Sequence, residues 1–300
     1  MRDELKKLLA VKQDDLNGIF LELPGLNGRL AEMLEVTFYY VRLMDGAIRE
    51  DDLVNVLCDY IVPYCLNRSS IKKVPINRIR SLYLDAKGRF QRSSSNSGEP
   101  GEILAYFLIE GCLEAPKILT KMTLKTNPSM PVHGSDGVHL RIGESDVFAL
   151  HFAESKLYKN PTEAIDSALD SVRHYVSPIK TSTATMRDYE VNLVSGNLDI
   201  PNGKLRNYVL DILNPYSAAR DNLQYWHTCI IGFDMDLLCG RVQENELIQE
   251  YCRLARHFNA ILLKKIESDD LLLSQRWNVF FVPLPSVQSF RNKFAQALAV

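Results

Sequence analysis

No stretch of the 300-residue chain carries the roughly 20 consecutive apolar residues that a membrane-spanning helix needs. The start, Met1-Arg2-Asp3-Glu4-Leu5-Lys6-Lys7, runs into mixed polar and apolar residues without an apolar leader segment, so the expected compartment is cytoplasmic, with no membrane partner. The six cysteines, Cys58, Cys65, Cys112, Cys229, Cys239 and Cys252, include no C-x-x-C pair and no compact spacing suited to zinc or a disulfide framework. Reduced core thiols are expected. Neither sign of charge dominates: the formal net charge of −2 excludes a uniformly basic nucleic-acid coat, so any such contact must come from local clustering. Internal repeats are lacking. No G-x-S-x-G or Cys/His context surrounds Ser135, Ser155 or Cys112, which removes them as nucleophiles.

What is present has ordinary globular proportions, 46% hydrophobic and 24% charged, enough for one large core or two modest ones. Strand-like Val36–Val41 and a helical periodicity over Asp51–Leu66 belong to an N-terminal α+β extension, residues 1–95, a candidate partner-docking or DNA-contacting module. It ends at the Ser-rich run 91–98, the best candidate boundary. In the second part, 96–300, Pro100–Glu114 reads as a helix. Strands are expected at Lys117–Met122, Gly137–Ile142 and Val147–Leu157, the last two joined by a turn at Gly143-Glu144-Ser145-Asp146. A helix from Pro161 to about Tyr175 and a mostly helical insertion at about 177–222 follow. A strand at Tyr225–Phe233, an amphipathic helix from about Glu244 to Ile266, a strand at Trp277–Pro283 and a helix from Val287 complete an α/β chain with a central sheet.

Side chains alternate across a strand, so Glu154 and Lys156 share a face with Phe148, Leu150 and Phe152. An acid and a base ending an apolar face must pair, bind a cation or reach a cleft. Asp136, at the start of the preceding strand, can stand beside Glu154. Phosphodiester cleavage needs a hard divalent cation held by oxygens and a positioned water, which Asp136, Glu154 and the Ser155 carbonyl could supply for Mg²⁺, with Lys156 orienting water or facing phosphate. Glu102, in the first turn of the preceding helix, could complete the set. Acidic-x-Lys triplets also occur at Glu4-Leu5-Lys6 and Asp85-Ala86-Lys87, but only the third ends an apolar strand. A solvated Glu154–Lys156 ion pair with no catalysis is the alternative for that pair.

The segments Gly101-Glu102-Ile103-Leu104, Gly134-Ser135-Asp136-Gly137-Val138 and Phe152-Ala153-Glu154-Ser155-Lys156-Leu157-Tyr158 resemble the PD-(D/E)xK nuclease superfamily. Within it they look most like HamA, the nuclease-subunit family of the Hachiman anti-phage defence system. The resemblance covers mainly Pro100–Tyr175. It implies a restriction-endonuclease-like mixed sheet core flanked by helices, Mg²⁺-dependent DNA cleavage with Mn²⁺ as a substitute, and a superfamily 2 helicase partner, HamB-like. It carries catalytic roles to Glu102, Asp136, Glu154 and Lys156, with metal ligation at Asp136, Glu154, the Ser155 carbonyl and Glu102. Two departures stand: Ser135 replaces the superfamily's proline, and Asp170, Arg173, His174 and Tyr175 stand where some relatives carry Gln-x-x-x-Tyr. The alternative function is a catalytically inactive nucleic-acid-binding or helicase-recruiting subunit on the same fold.

Between Arg68 and Arg92 the basic residues Arg68, Lys72, Lys73, Arg78, Arg80, Lys87, Arg89 and Arg92 face one acid, Asp85, a net of +7. Phosphate contact and a solvated or protein-docking face are both open to it. His139 and His151 fall on the strand faces opposite Asp136 and Glu154, which favours hydrogen-bonded histidines over zinc ligands. His133 reads as a loop residue, and Tyr158 and Tyr175 as half-buried packing.

Overall fold

The computed structural model describes residues 1–90, 98–125, 134–143, 146–179 and 182–299. Short helices α1 (Arg2–Lys6) and α2 (Gln13–Ile19) lead into strands β1 (Phe20–Glu22), β2 (Gly28–Ala31) and β3 (Leu34–Val41) and a two-stranded ribbon, β4 (Leu43–Met44) with β5 (Ala47–Ile48). Helices α3 (Glu50–Asp59), α4 (Ile61–Cys65), α5 (Arg68–Lys72), α6 (Ile79–Lys87) and α7 (Glu99–Leu113) follow. Next come strands β6 (Lys117–Leu119), β7 (Gly137–Ile142) and β8 (Phe148–Tyr158), then helices α8 (Pro161–Val176), α9 (Met186–Gly196) and α10 (Lys204–Leu213). Strand β9 (Leu223–Asp234), helices α11 (Glu244–Glu267) and α12 (Asp270–Leu273), strand β10 (Arg276–Leu284) and helix α13 (Val287–Ala299) complete the order.

One eight-stranded mixed sheet organises these elements, in the order β1-β3-β10-β9-β8-β7-β6 with β2 paired to β3. The centre is parallel, β3 to β10 to β9 to β8, and the flanks are antiparallel. Parallel strands are covered on both faces, which explains why Cys229–Phe233 and Val279–Leu284 read as unbroken apolar runs and are buried throughout. Helices α8 to α12 pack on one face, and α2, α3, α4, α7 and α13 on the other. The residues ahead of the Ser-rich run supply β1, β2 and β3 to this sheet. The run itself, 91–97, lies outside the described residues, as do Glu144 and Ser145 of the β7–β8 turn.

The α/β class and the elements expected from the sequence are present, with two differences, while α1, α2, β1, β2, β4, β5, α5, α6 and α12 are not among those expected. Asp51–Leu66 is not one helix. It breaks at Tyr60, because Pro63 has no N–H to return to the Asp59 carbonyl. The strand from Lys117 stops at Leu119, where a 3-10 turn forms at Lys121–Leu124 and Thr120 O accepts from the Thr123 hydroxyl at 2.7 Å.

Local chemistry places the site. Pro100 sits in the first turn of α7, where no backbone donor is missed. Gly101 lets that turn ride directly on β8: a Cβ there would stand 2.9 Å from Ser155 Oγ and 3.2 Å from Leu157 Cγ. Glu102 is thereby carried to the end of the β7–β8 hairpin.

Candidate active site

Strands β7 and β8 pair from Ile142 opposite Phe148 to Gly137 opposite Ala153. Asp136 stands one residue beyond, opposite Glu154, and its N–H still donates to the Ala153 carbonyl at 2.8 Å. Phe148, Leu150 and Phe152 enter the core under α8, and the same face continues into Glu154 and Lys156. There Lys156 Nζ meets Glu154 Oε1 at 2.7 Å, with the two side chains 19% and 18% exposed. Ser171 of α8 lies beside Glu154 on the same cleft and favours its charged form. The opposite face of β8 turns Ala153, Ser155 and Leu157 towards α7.

Asp136 is held by Ser155: its Oδ2 accepts from both the Ser155 N–H and the Ser155 hydroxyl, each at 2.7 Å. Both bonds use one carboxylate oxygen, so Oδ1 is not engaged by Ser155. Glu102 Oε2 accepts from the Tyr64 hydroxyl of α4 at 2.9 Å. Burial, and after it the charge of Asp136, pushes the Glu102 carboxyl up to about 7. The same two causes raise Glu154, opposed by Lys156 and Ser171. Lys156 loses solvation, yet Glu154 and Asp136 outweigh that and raise its ammonium.

Asp136 therefore stands between two carboxylates on opposite sides of the strand pair. A narrow cleft on the α7 side is lined by Tyr64, Glu102, Lys121, Asp136 and His139. A second cleft, about 210 Å³, opens under α8 beside Glu154, Ser171, His174 and Met186. Ala153 borders both. The expected Asp136, Glu154 and Lys156 are brought together, and Glu102 reaches Asp136 from behind. Among the described residues no three His, Cys, Asp or Glu side chains form a ready metal cage. The donor set nevertheless fits a hard cation: its ligands are oxygens, and two of its carboxyls are disfavoured as anions partly by Asp136, a penalty that a divalent ion removes.

His139 and His151 are buried in the sheet. His139 Nδ1 meets the Ala115 carbonyl at 2.9 Å and His151 Nδ1 the Thr228 hydroxyl at 3.0 Å. Both are 1% exposed, and burial lowers each to about 3. His133 lies outside the described residues. Tyr175 gives its hydroxyl to Glu190 at 2.5 Å, Arg173 is committed to Asp170 and Asp269, and Tyr158 bonds Ser167 at 3.1 Å.

The basic run is not one surface. Arg68 is drawn inside, donating to the carbonyls of Leu8, Lys117 and Asp199 and pairing with the Asp199 carboxylate at 3.0 Å. Arg89 reaches the Met122 carbonyl at 3.1 Å. Lys72, Lys73, Arg78 and Arg80 are exposed. Tyr64, Ser171 and the Ser155 hydroxyl are site residues that the sequence alone did not single out. Ser155 had a signal, since the residue between the acid and the lysine must face the opposite side of the strand.

All six cysteines are free thiols, and no helix among the described residues is long and apolar enough to cross a membrane. No curated protein matches the chain. A family model described as HamA matches residues 27–298, spanning the Ser-rich run and every residue of the site, and the chain belongs to the HamA family.

Proposed function

We propose that this protein is a Mg²⁺-dependent deoxyribonuclease of PD-(D/E)xK type, acting as the DNA-cleaving effector of a Hachiman anti-phage complex with a superfamily 2 helicase subunit. One observation carries the reading: Asp136 stands opposite Glu154, with Lys156 two residues further along the same strand face. In this role Asp136, Glu154 and the Ser155 carbonyl hold Mg²⁺ or Mn²⁺, and Glu102 adds a ligand or orients one. The bound cation supplies Lewis acidity and a water acidic enough to attack phosphorus near neutral pH. Ser155 fixes the Asp136 carboxylate through Oδ2. Tyr64 orients Glu102. Lys156, attracted to Glu154 on its own strand and to Asp136 ahead of β7, keeps its proton and presents an ammonium to the phosphate or to the attacking water.

A second reading, a catalytically inactive subunit that binds nucleic acid or recruits the helicase, draws support from the 2.7 Å Lys156–Glu154 pair, which satisfies both charges without a cation. Cleavage of plasmid and linear DNA by the purified chain, alone and with its helicase, separates the two. The nuclease reading expects cleavage in Mg²⁺ or Mn²⁺, none in Ca²⁺ or EDTA, and none from Glu154→Ala. Cleavage undiminished in EDTA or in a folded Glu154→Ala chain ends it.

A further inference from the structure

Glu190 lies on α9, in the helical segment between α8 and β9. It is 4% exposed, and its carboxylate is shared by three separate parts of the chain. Oε2 accepts the Ser135 N–H at 3.0 Å and the Tyr175 hydroxyl at 2.5 Å. Oε1 pairs with Lys121 Nζ, in the turn after β6, at 3.1 Å. Lys121 also donates to the Ser135 carbonyl. Ser135 is the residue immediately before Asp136, so both its backbone polar groups are gripped, the N–H by Glu190 and the carbonyl by Lys121. Gly134 records the same contact: its φ is +111°, and a Cβ there would stand 2.8 Å from Glu190 Oε1. A buried carboxylate is costly unless it is paired, and here the Ser135 N–H and Tyr175 hydroxyl at Oε2 and the Lys121 ammonium at Oε1, which makes an ion pair but no hydrogen bond, converge on the approach to Asp136.

We infer that Glu190 is a positioning residue of the active site: together with Lys121 it clamps the backbone at Ser135 and so fixes where the Asp136 carboxylate stands against Ser155 and Glu154. The inference rests on the proposed role of Asp136 as a metal ligand. It gives the segment 186–196 a function as part of the frame that sets metal geometry, comparable to the outer hydrogen bonds that orient metal ligands generally.

The test uses the full chain and three substitutions. Glu190→Gln keeps the shape and one acceptor oxygen but turns an amide towards Lys121. Tyr175→Phe removes one donor and leaves the Ser135 and Lys121 contacts in place. Lys121→Gln loosens the other jaw and serves if Glu190→Gln does not fold. Glu190→Gln and Lys121→Gln are expected to lower kcat on linear double-stranded DNA by about 10–100-fold and to raise the half-saturating Mn²⁺ concentration, with KM for DNA nearly unchanged. Tyr175→Phe keeps most of the wild-type kcat. Wild-type kcat and Mn²⁺ dependence in folded Glu190→Gln overturn the inference, as does an equal loss in Tyr175→Phe that merely follows melting temperature. Hydrogen exchange at the Asp136 and Ser155 amides gives a readout independent of cleavage. If Glu154→Ala retains activity and the nuclease reading falls, faster exchange in Glu190→Gln still upholds the clamp, and unchanged exchange refutes it.

Discussion

Replacing Glu102 by Gln removes a charge from the site while leaving an oxygen to accept the Tyr64 hydroxyl, which lies 2.9 Å from the native carboxylate. Burial first and Asp136 second hold the Glu102 carboxyl at about 7, against an ordinary 4.5. A carboxyl raised in this way keeps its proton in the folded chain after the unfolded chain has released it. Stability therefore falls as pH rises from the unfolded value towards the folded one, and the loss is complete above about 7. A shift of that size corresponds to about 3 kcal/mol. Glutamine has no proton to lose, so Glu102→Gln should match the wild type near pH 4 and exceed it by about 3 kcal/mol near pH 8 in EDTA. Urea melts across that range measure both proteins, and their difference cancels the titrations they share. Mg²⁺ should narrow the gap at pH 8, because a ligand that binds only the folded wild type stabilises it. Parallel stability curves between pH 4 and 8, or a less stable variant at pH 8, would refute this account of the site's electrostatics.

Three further outcomes follow from other parts of the molecule. Phe152, 2% exposed on the face that ends in Glu154 and Lys156, should cost about 3–5 kcal/mol as alanine, whereas Lys156→Met should abolish cleavage with a stability change of about 1 kcal/mol or less; equal melting losses would contradict the division of that face into core and chemistry. His139, His151 and His227 are each held at about 3, chiefly by burial, so the stability they support is full above the ordinary imidazole value of 6.5 and is lost as pH falls towards 3; a flat urea-melt profile from pH 6.5 to 4 would show that these rings protonate freely in the fold. Arg68→Ala should destabilise by about 3–5 kcal/mol by stranding Asp199 in the interior, while reversing exposed Arg78 and Arg80 should leave melting within about 0.5 kcal/mol and flatten the salt dependence of DNA binding, and the opposite pattern in melts and binding titrations would reverse their assignment.

The elements of the fold were legible wherever local pattern decides structure. Period-two alternation in Phe148–Leu157 marked β8 and the shared face of Glu154 and Lys156. Pro100 marked the start of α7, and Pro161 that of α8, which the structure also caps with the Asn160 side chain accepting the Thr162 N–H at 2.9 Å. Long-range contacts left no such pattern. Tyr64 meets Glu102 across 38 positions, and Glu190 meets Ser135 across 55. Residue type alone does not tell a buried Glu190 from an exposed Glu163. The charge run from Arg68 was legible only as a count, which cannot show that Asp199, 131 positions away, folds back to claim its first guanidinium. Pro63 was a local sign of the break between α3 and α4, outweighed by the continuous apolar periodicity around it.

The place of β10 in the sheet sets the order in which the protein can be completed. It lies between β3 and β9, hydrogen-bonded to both, yet it follows both in the chain. Until Arg276–Leu284 emerges, the first large strand has no parallel neighbour, and β9 exposes one edge of Cys229–Phe233 to any passing chain. Closure spans more than two hundred residues, a separation that slows folding because the loop must be ordered before any contact rewards it. The hairpin that carries Asp136, Glu154 and Lys156 can form early, but its parallel neighbour β9 is not braced on the far side until Arg276–Leu284 pairs with it. A chain extending only to β9 thus holds the chemical groups without the rigid floor beneath them, and that floor is laid only when β10 docks between β3 and β9.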